Sequence, residues 1–485
     1  MVAGIASLLA ALAYAEFGVK FPRAGSAYSY SYFSVGEFWA FLVGWNVLLE
    51  NIIGLSYGEI STKSFFYHNA TSWLNKILCI VNIVMLLVMI SVGVYFADFD
   101  NWTNPATRLY KQLTKCFICF ITDGFMPFGV NGVLSASATC FFAYVGFDAI
   151  AAAGEEAKNP QRSLPVATLC SMAVVTVLYV AVSAVLTLMI NYQDIEMHSG
   201  LPAALALKGA VWAEVLVTIG ALAGMSTVLI GTLYALTRIA YAMADDGLIH
   251  WIFGKVAAKS QIPLVAMYAF SFLAAVLSVV LDIETLVEMM SIGTLFAYLI
   301  VSGGVIIFRY RHKQILKTAH ELKPIGNDNS TPVSINCGLH MDGYGPTGQK
   351  FKPRAEWLRS FFPRSCRQQT VVASCVCMIT ACTFKIGFFI KYNGENLGEW
   401  YSIILMTLLA AVVTIAFFVI VAHEQCEESQ NYKMPLVPLL PVSSIVINAF
   451  LMTTLQLLTW GRLILWLFIG LINYFLYGIR HSKLN

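Results

Sequence analysis

Two acidic side chains stand where an acid is costly. Asp148 lies inside the apolar run Ala138-Thr-Cys-Phe-Phe-Ala-Tyr-Val-Gly-Phe-Asp-Ala-Ile-Ala-Ala-Ala-Gly-Glu-Glu156, and Glu50 lies near the middle of another, residues 36–57. A carboxylate at bilayer depth is expensive unless it is paired, hydrated or functional. Asp148 follows the helix-weakening Gly146 by two residues, and the polar stretch Ala157-Lys-Asn-Pro-Gln-Arg-Ser-Leu-Pro165 comes directly after the run. That combination reads as a broken helix. Its freed backbone groups are tolerated at membrane depth only where they face ligand, water or protein, the arrangement that lines substrate sites in secondary transporters.

The remaining candidates are weaker. Glu16 and Glu37 fall at span ends, where water reaches them; for Glu16 a pairing with Lys20 or Arg23 is as good a reading as a substrate role. Lys385 can snorkel and Arg238 marks an interface. Asn82 and the pair Ser226-Thr227 sit in apolar helices, where hydroxyls bond their own backbone or a neighbouring helix unless they face an ion or a substrate. The eight histidines are scattered, with no spacing that gathers metal ligands or a nucleophile–base pair, so neither a metal site nor an enzyme is expected. No Walker-type loop is present, and no cofactor is implied.

These residues are set in 485 residues of which 58% are hydrophobic and 12% charged. That is the composition of a polytopic all-α membrane protein, since a soluble domain carries roughly 25% charge. The formal charge of +3 is spread over loops with no basic stripe, which excludes nucleic acid as a partner. Most of the eleven cysteines lie in apolar runs, and Cys116-Phe-Ile-Cys119 is a lone CxxC without a second pair. Met1-Val-Ala-Gly has no basic n-region, so a cleavable signal peptide is not expected.

About a dozen runs are long enough to span a bilayer. They fall near 2–19, 36–57, 76–97, 131–153, 166–190, 211–236, 263–281, 286–308, 371–391, 400–422, 436–457 and 459–479. The expected organisation is a core over 1–308, a basic cytoplasmic linker over 309–370 and a C-terminal four-helix region over 371–485. The sequons at Asn101 and Asn69 are candidate glycosylation acceptors. Counting crossings back from the basic linker places Lys20 and Arg23 outside, against the positive-inside rule. An absent crossing between about Lys63 and Lys76, or an unusual packing of this end, is therefore expected; the alternative is that Lys20 and Arg23 simply sit outside.

The broken run and the loop after it, Lys158-Asn-Pro-Gln-Arg-Ser-Leu-Pro165, resemble the sixth helix and following loop of the cationic amino acid transporters, within the amino acid–polyamine–organocation superfamily. Tyr14 to Tyr32 with Val35 to Asn46 are similar to that family's second and third helices. Leu222 to Arg238, Ala242 to Leu248 and Met290 to Tyr298 are similar to its eighth to tenth, and Met434 to Pro441, running on to His481, to its C-terminal pair. The resemblance implies a LeuT-type inverted five-plus-five repeat with four added helices. It also implies a substrate site at mid-membrane formed by Phe142, Ala143, Tyr144, Val145, Gly146, Phe147 and Asp148. By the same resemblance Asn82, Ser226 and Thr227 match an ion-like site, and Glu37 matches a carboxylate associated with transport. The half-helix N-terminus is expected to take the substrate carboxylate. The first and fourth helices of the family are expected to be lacking.

The implied function is transport of amino acids such as arginine, lysine and ornithine by alternating access, with lipid and the substrate as partners. A neutral substrate, and a truncated form that serves as a scaffold without transporting, are the alternatives. The plasma membrane is the expected residence, with the lysosomal membrane second.

Overall fold

The computed structural model describes residues 1–56, 68–103, 129–196, 199–257, 262–311, 367–393, 399–425 and 432–483. Every regular element among them is helical. The first half contains α1 (Val2–Lys20), α2 (Ala27–Ser34), α3 (Glu37–Ser56), α4 (His68–Tyr95), α5 (Gly129–Cys140), α6 (Phe147–Ala152), α7 (Pro160–Met189), α8 (Gly200–Leu207) and α9 (Val211–Asp245). Then come α10 (Leu264–Val280), α11 (Ile283–Arg309), α12 (Gln368–Tyr392), α13 (Trp400–Ala422), α14 (Leu439–Thr454) and α15 (Leu457–Asn473). Ten helical segments are long and apolar enough to cross a membrane, and α10 and α14 are shorter apolar helices. Together they account for the spans read from the sequence. Cys116, Cys119, Lys63 and most of the 309–370 linker lie outside the described residues.

Three helices, α1, α3 and α11, are buried along most of their length, and the others wrap them. Small side chains make α1 central: Ala3, Ala6, Ala10 and Ala13 are buried, and a β-carbon on Gly4 would stand 2.9 Å from the Tyr144 hydroxyl. Small residues let helix backbones approach closely, which is how helices gain packing energy where lipid is as apolar as leucine.

The last four helices do not form a separate body. α14 packs along α11, α12 and α1, and α15 packs on α3. There Trp45 and Trp466 stack with centroids 4.8 Å apart. Each indole N–H also donates to the other residue's carbonyl, at 2.9 and 3.0 Å. Gly470 makes room for this clamp, because a β-carbon there would come within 2.5 Å of the Trp45 ring.

Glu16 does not pair with Lys20 or Arg23. Its carboxylate receives Arg309 Nε and Nη2 at 2.9 and 2.7 Å and the Met434 backbone N–H at 2.9 Å, joining α1, α11 and the start of the C-terminal unit. Lys20 instead lies over the Phe308 ring at 3.6 Å, and Arg23 over Phe33 at 5.3 Å. The sequence reading looked for partners close in the chain, and the fold supplied one from almost three hundred residues away.

Helix directions follow from contacts with α9. Glu37 meets Ser482, whose neighbour Lys483 pairs with Asp245 at the end of α9, while Gly54 packs on Thr232 further back along it. On α4, Asn82 packs on Gly224 and Met85 on Gly220. Both α3 and α4 therefore run from the Asp245 end of α9 towards its Val211 end. Consecutive spanning helices that run the same way need a return crossing, and residues 57–67 are too few for the roughly 20 residues a helix requires. The shared direction of α3 and α4 is the same conflict that the charge count raises.

It also separates the two sequons. Asn69 begins the 28-residue α4 and Asn101 follows its end, about 42 Å away at 1.5 Å per residue, so one side of a membrane presents only one of them.

Arg309→Ala is expected to lower stability by about 3–5 kcal/mol, the scale of orphaning one partner of a buried ion pair, read as thermal unfolding in detergent. Replacing both Glu16 and Arg309 with apolar residues should cost less than either single change.

Candidate functional site

The long apolar run is broken where Gly146 stands. α5 ends at Cys140, a 3₁₀ turn covers Phe141–Tyr144, Val145 is extended, Gly146 takes φ +128°, and α6 begins at Phe147. That φ is open to glycine and disfavoured for other residues. A 3₁₀ turn repeats every three residues, and burial through the break follows that period. Phe141, Tyr144 and Phe147 are buried, Phe142 and Val145 are partly buried, and Ala143 and Gly146 are open.

Each set meets different neighbours. Phe141 and Phe147 both pack on Tyr298 of α11, at centroid distances of 5.6 and 5.0 Å, and Phe147 also packs on Tyr14 of α1 at 5.3 Å. Tyr144 lies edge-on to Tyr179 at 5.5 Å. Phe142 and Val145 pack on a cluster of Leu49, Ile53, Leu286, Met289 and Met290. No atom lies within 4 Å of where a β-carbon on Gly146 would stand. Of the seven residues implied by resemblance, only Ala143 and Gly146 present an open face; the others hold the break in shape.

α6 has only six residues, its N-cap is Gly146 with no side-chain cap, and the Ala149 N–H donates to Gly146 O at 3.1 Å. Asp148 stands in the first turn, beside the N-terminus from which the substrate carboxylate is expected to accept.

Asp148 is 5% exposed and acts electrostatically on Glu50, which is 4% exposed on α3. Tyr14 of α1 and Tyr298 of α11 lie within electrostatic reach of both acids, and the Thr294 hydroxyl of α11 donates to Met290 O at 2.9 Å. Ser7 Oγ, Asn46 Oδ1, Ser291 Oγ and the Tyr298 hydroxyl are buried on the same three helices without a hydrogen-bond partner. Orphaned buried polar atoms at this density call for a ligand or water, because each costs free energy when left unsatisfied. Tyr14 and Tyr298 escaped the sequence reading, which searched for charge within spans. A tyrosine inside an apolar run was the available signal.

The ion-like residues are placed less suggestively. Asn82 packs on α9 at Gly224, one turn from Ser226 and Thr227, yet both hydroxyls donate to their own helix, to Leu222 O and Ala223 O at 2.9 and 3.0 Å. Glu37 lies outside the break, at the end of α3, and accepts from Tyr474 and Ser482. Among the described residues no group of histidine, cysteine and acidic side chains could hold a metal ion.

The family model described as amino acid permease matches residues 62–336, and the one for the C-terminus of these permeases matches 432–482. Over its whole length the chain is 35% identical to cationic amino acid transporter 4 of Mus musculus, covering 82% of that relative. It is also 35% identical to cationic amino acid transporter 4 of Homo sapiens, covering 81%. A further relative, cationic amino acid transporter 3, mitochondrial, of Arabidopsis thaliana, is 29% identical and 85% covered. A bundle of membrane helices, one of them interrupted, is the architecture of a multi-pass transporter. The chain belongs to the amino acid permeases, in their cationic amino acid transporter family.

Gly146→Ala is expected to cost about 1–2 kcal/mol through its backbone conformation alone, since the added methyl group meets no neighbour. Thermal unfolding in detergent measures it, and an unchanged melting temperature would show that the positive φ is not held.

Proposed function

We propose that this chain carries cationic amino acids of the arginine, lysine and ornithine type by alternating access, with the open face at Ala143 and Gly146 admitting the substrate. The observation that carries the reading is the pair of buried acids, Glu50 and Asp148. Among the described residues neither is in ion-pair contact with a lysine or arginine. Buried carboxylates need a compensating cation, and a guanidinium or ammonium arriving with the substrate supplies one. Asp148 sits in the first turn of α6, where the helix N-terminus favours a negative charge, and Glu50 on α3 has no such neighbour, so Glu50 is the acid we assign to the substrate side chain. The relatives' printed names agree with a cationic substrate.

The same reading orients the protein. Lys20, Arg23, Arg162, Arg238, Arg309, Arg311 and Lys483 gather at the Glu37 end, whereas Lys208, Lys385 and Lys391 stand at the other. Under the positive-inside rule the Glu37 end faces the cytoplasm, and Asn101, at the opposite end, is the sequon presented to the glycosylation machinery. We place the protein in the plasma membrane, and surface biotinylation tests that residence.

A second reading, a form that does not transport, is favoured by one observation: α3 and α4 run the same way, and only residues 57–67 lie between them. Alignments to the relatives extend over 526 to 556 positions, more than the 485 residues here.

In proteoliposomes the wild-type chain should take up labelled arginine, and Glu50→Gln should lower that uptake at least about tenfold while leaving leucine uptake less affected, as expected for loss of one charge-assisted contact. Equal loss for both substrates sinks the assignment of Glu50. No uptake by the wild type, regained when a spanning helix is inserted between 56 and 68, establishes the second reading.

A further inference from the structure

Residues 474–483 are tied to two helices at once. Glu37, at the start of α3, accepts hydrogen bonds from the Tyr474 hydroxyl at 3.2 Å and from Ser482 Oγ at 2.6 Å. The same segment lies across the end of α9. Lys483 donates its backbone N–H to Asp246 O at 3.2 Å and pairs its ammonium with Asp245 at 2.7 Å. The Tyr477 hydroxyl accepts from the Trp251 N–H at 3.3 Å, and its ring stacks on His250 at 5.3 Å. Gly247, at φ +80°, lets the strap lie close, because a β-carbon there would stand 1.9 Å from His481 O. From the other side the Tyr28 hydroxyl of α2 reaches Asp246 at 2.6 Å.

Magnitudes decide which contacts hold the strap. Lys483 and Asp245 are 57% and 53% exposed, and exposed pairs contribute little. The Glu37 contacts are hydroxyl donors to a carboxylate, a stronger class of bond. Ser482 is 7% exposed, so its bond is shielded from water. Tyr474 opens a π turn, Tyr474–Gly478, at which α15 departs from α-helical register. Such turns are frequent where a side chain has a particular task.

We infer that Tyr474 and Ser482 are positioning residues for Glu37, and that through this carboxylate the strap of residues 474–483 holds the cytoplasmic ends of α3 and α9 together as a closed inner gate. The inference rests on the transport reading for what the gate admits. The strap's dependence on Glu37 does not. α3 carries Glu50, so a strap fixed to α3 couples the chain's end to the helix that bears the substrate-facing acid. Opening towards the cytoplasm requires the two hydroxyls to leave Glu37.

The test uses the full chain in two measurements. Hydrogen exchange is followed at the amides of 479–483 and 246–251 in wild type, Glu37→Gln, Tyr474→Phe with Ser482→Ala, and Ser482→Thr. The first two variants should raise exchange about tenfold, the scale of losing a hydrogen bond to a charged group, and Ser482→Thr should restore protection. In proteoliposomes the Tyr474→Phe/Ser482→Ala variant should lower the maximal rate of arginine uptake with KM unchanged within about twofold, and adding it to Glu37→Gln should lower the rate no further, because residues acting as one unit are not additive. Unchanged exchange in Glu37→Gln, or additive losses of uptake, overturns the inference. Raised exchange in a protein whose wild type takes up nothing keeps the strap and removes the transport reading instead.

Discussion

The packing of Phe141 and Phe147 on one tyrosine, Tyr298, is the contact on which the rest of the site depends. A helix interrupted in lipid is unstable, because its freed N–H and C=O groups have no water to turn to. Here the residues on both sides of the interruption are fixed to the same ring of α11, and Phe147 is fixed to Tyr14 of α1 as well. The break is held by its shoulders. Only the short arc between them is left to Val145 and Gly146.

That arrangement explains why the acids are where they are. Asp148 stands in the first turn of α6, where the helix N-terminus favours a negative charge. Glu50 comes from α3, a helix buried along most of its length, and among the described residues it makes no ion pair with a lysine or arginine. The buried orphans Ser7, Asn46, Ser291 and Tyr298 come from the same inner helices, α1, α3 and α11. Unsatisfied polar atoms on densely packed helices, where water is scarce, are the condition under which a charged guest contributes most.

The bundle is closed at its basic end by long-range polar contacts of two kinds. Glu16, Arg309 and Met434 form a buried knot between α1, α11 and the C-terminal unit. Glu37, Tyr474 and Ser482 form a looser one between α3 and the chain's end. The first has its charges matched within the protein and suits a fixed scaffold. In the second, neutral hydroxyls face a carboxylate, and such bonds can be exchanged for water when the ends separate.

The spanning segments and the interruption at Gly146 were legible in the sequence, as was a conflict of direction before α4. Length, hydropathy and charge placement act locally or add up along the chain, so they survive without coordinates. Partners did not survive that way. Arg309 for Glu16, the C-terminal hydroxyls for Glu37, and Tyr14 and Tyr298 around the break all join residues far apart in sequence, and helix packing alone decides which faces meet. The three-residue period through Phe141 to Phe147 was written in the chain, yet which of its three faces stayed open depended on where α1, α3 and α11 came to rest. Sequence determined that a helix would break and carry an acid there; tertiary structure decided what that acid and its neighbours could touch, because contacts between helices are set by their relative rotation and no local pattern encodes it.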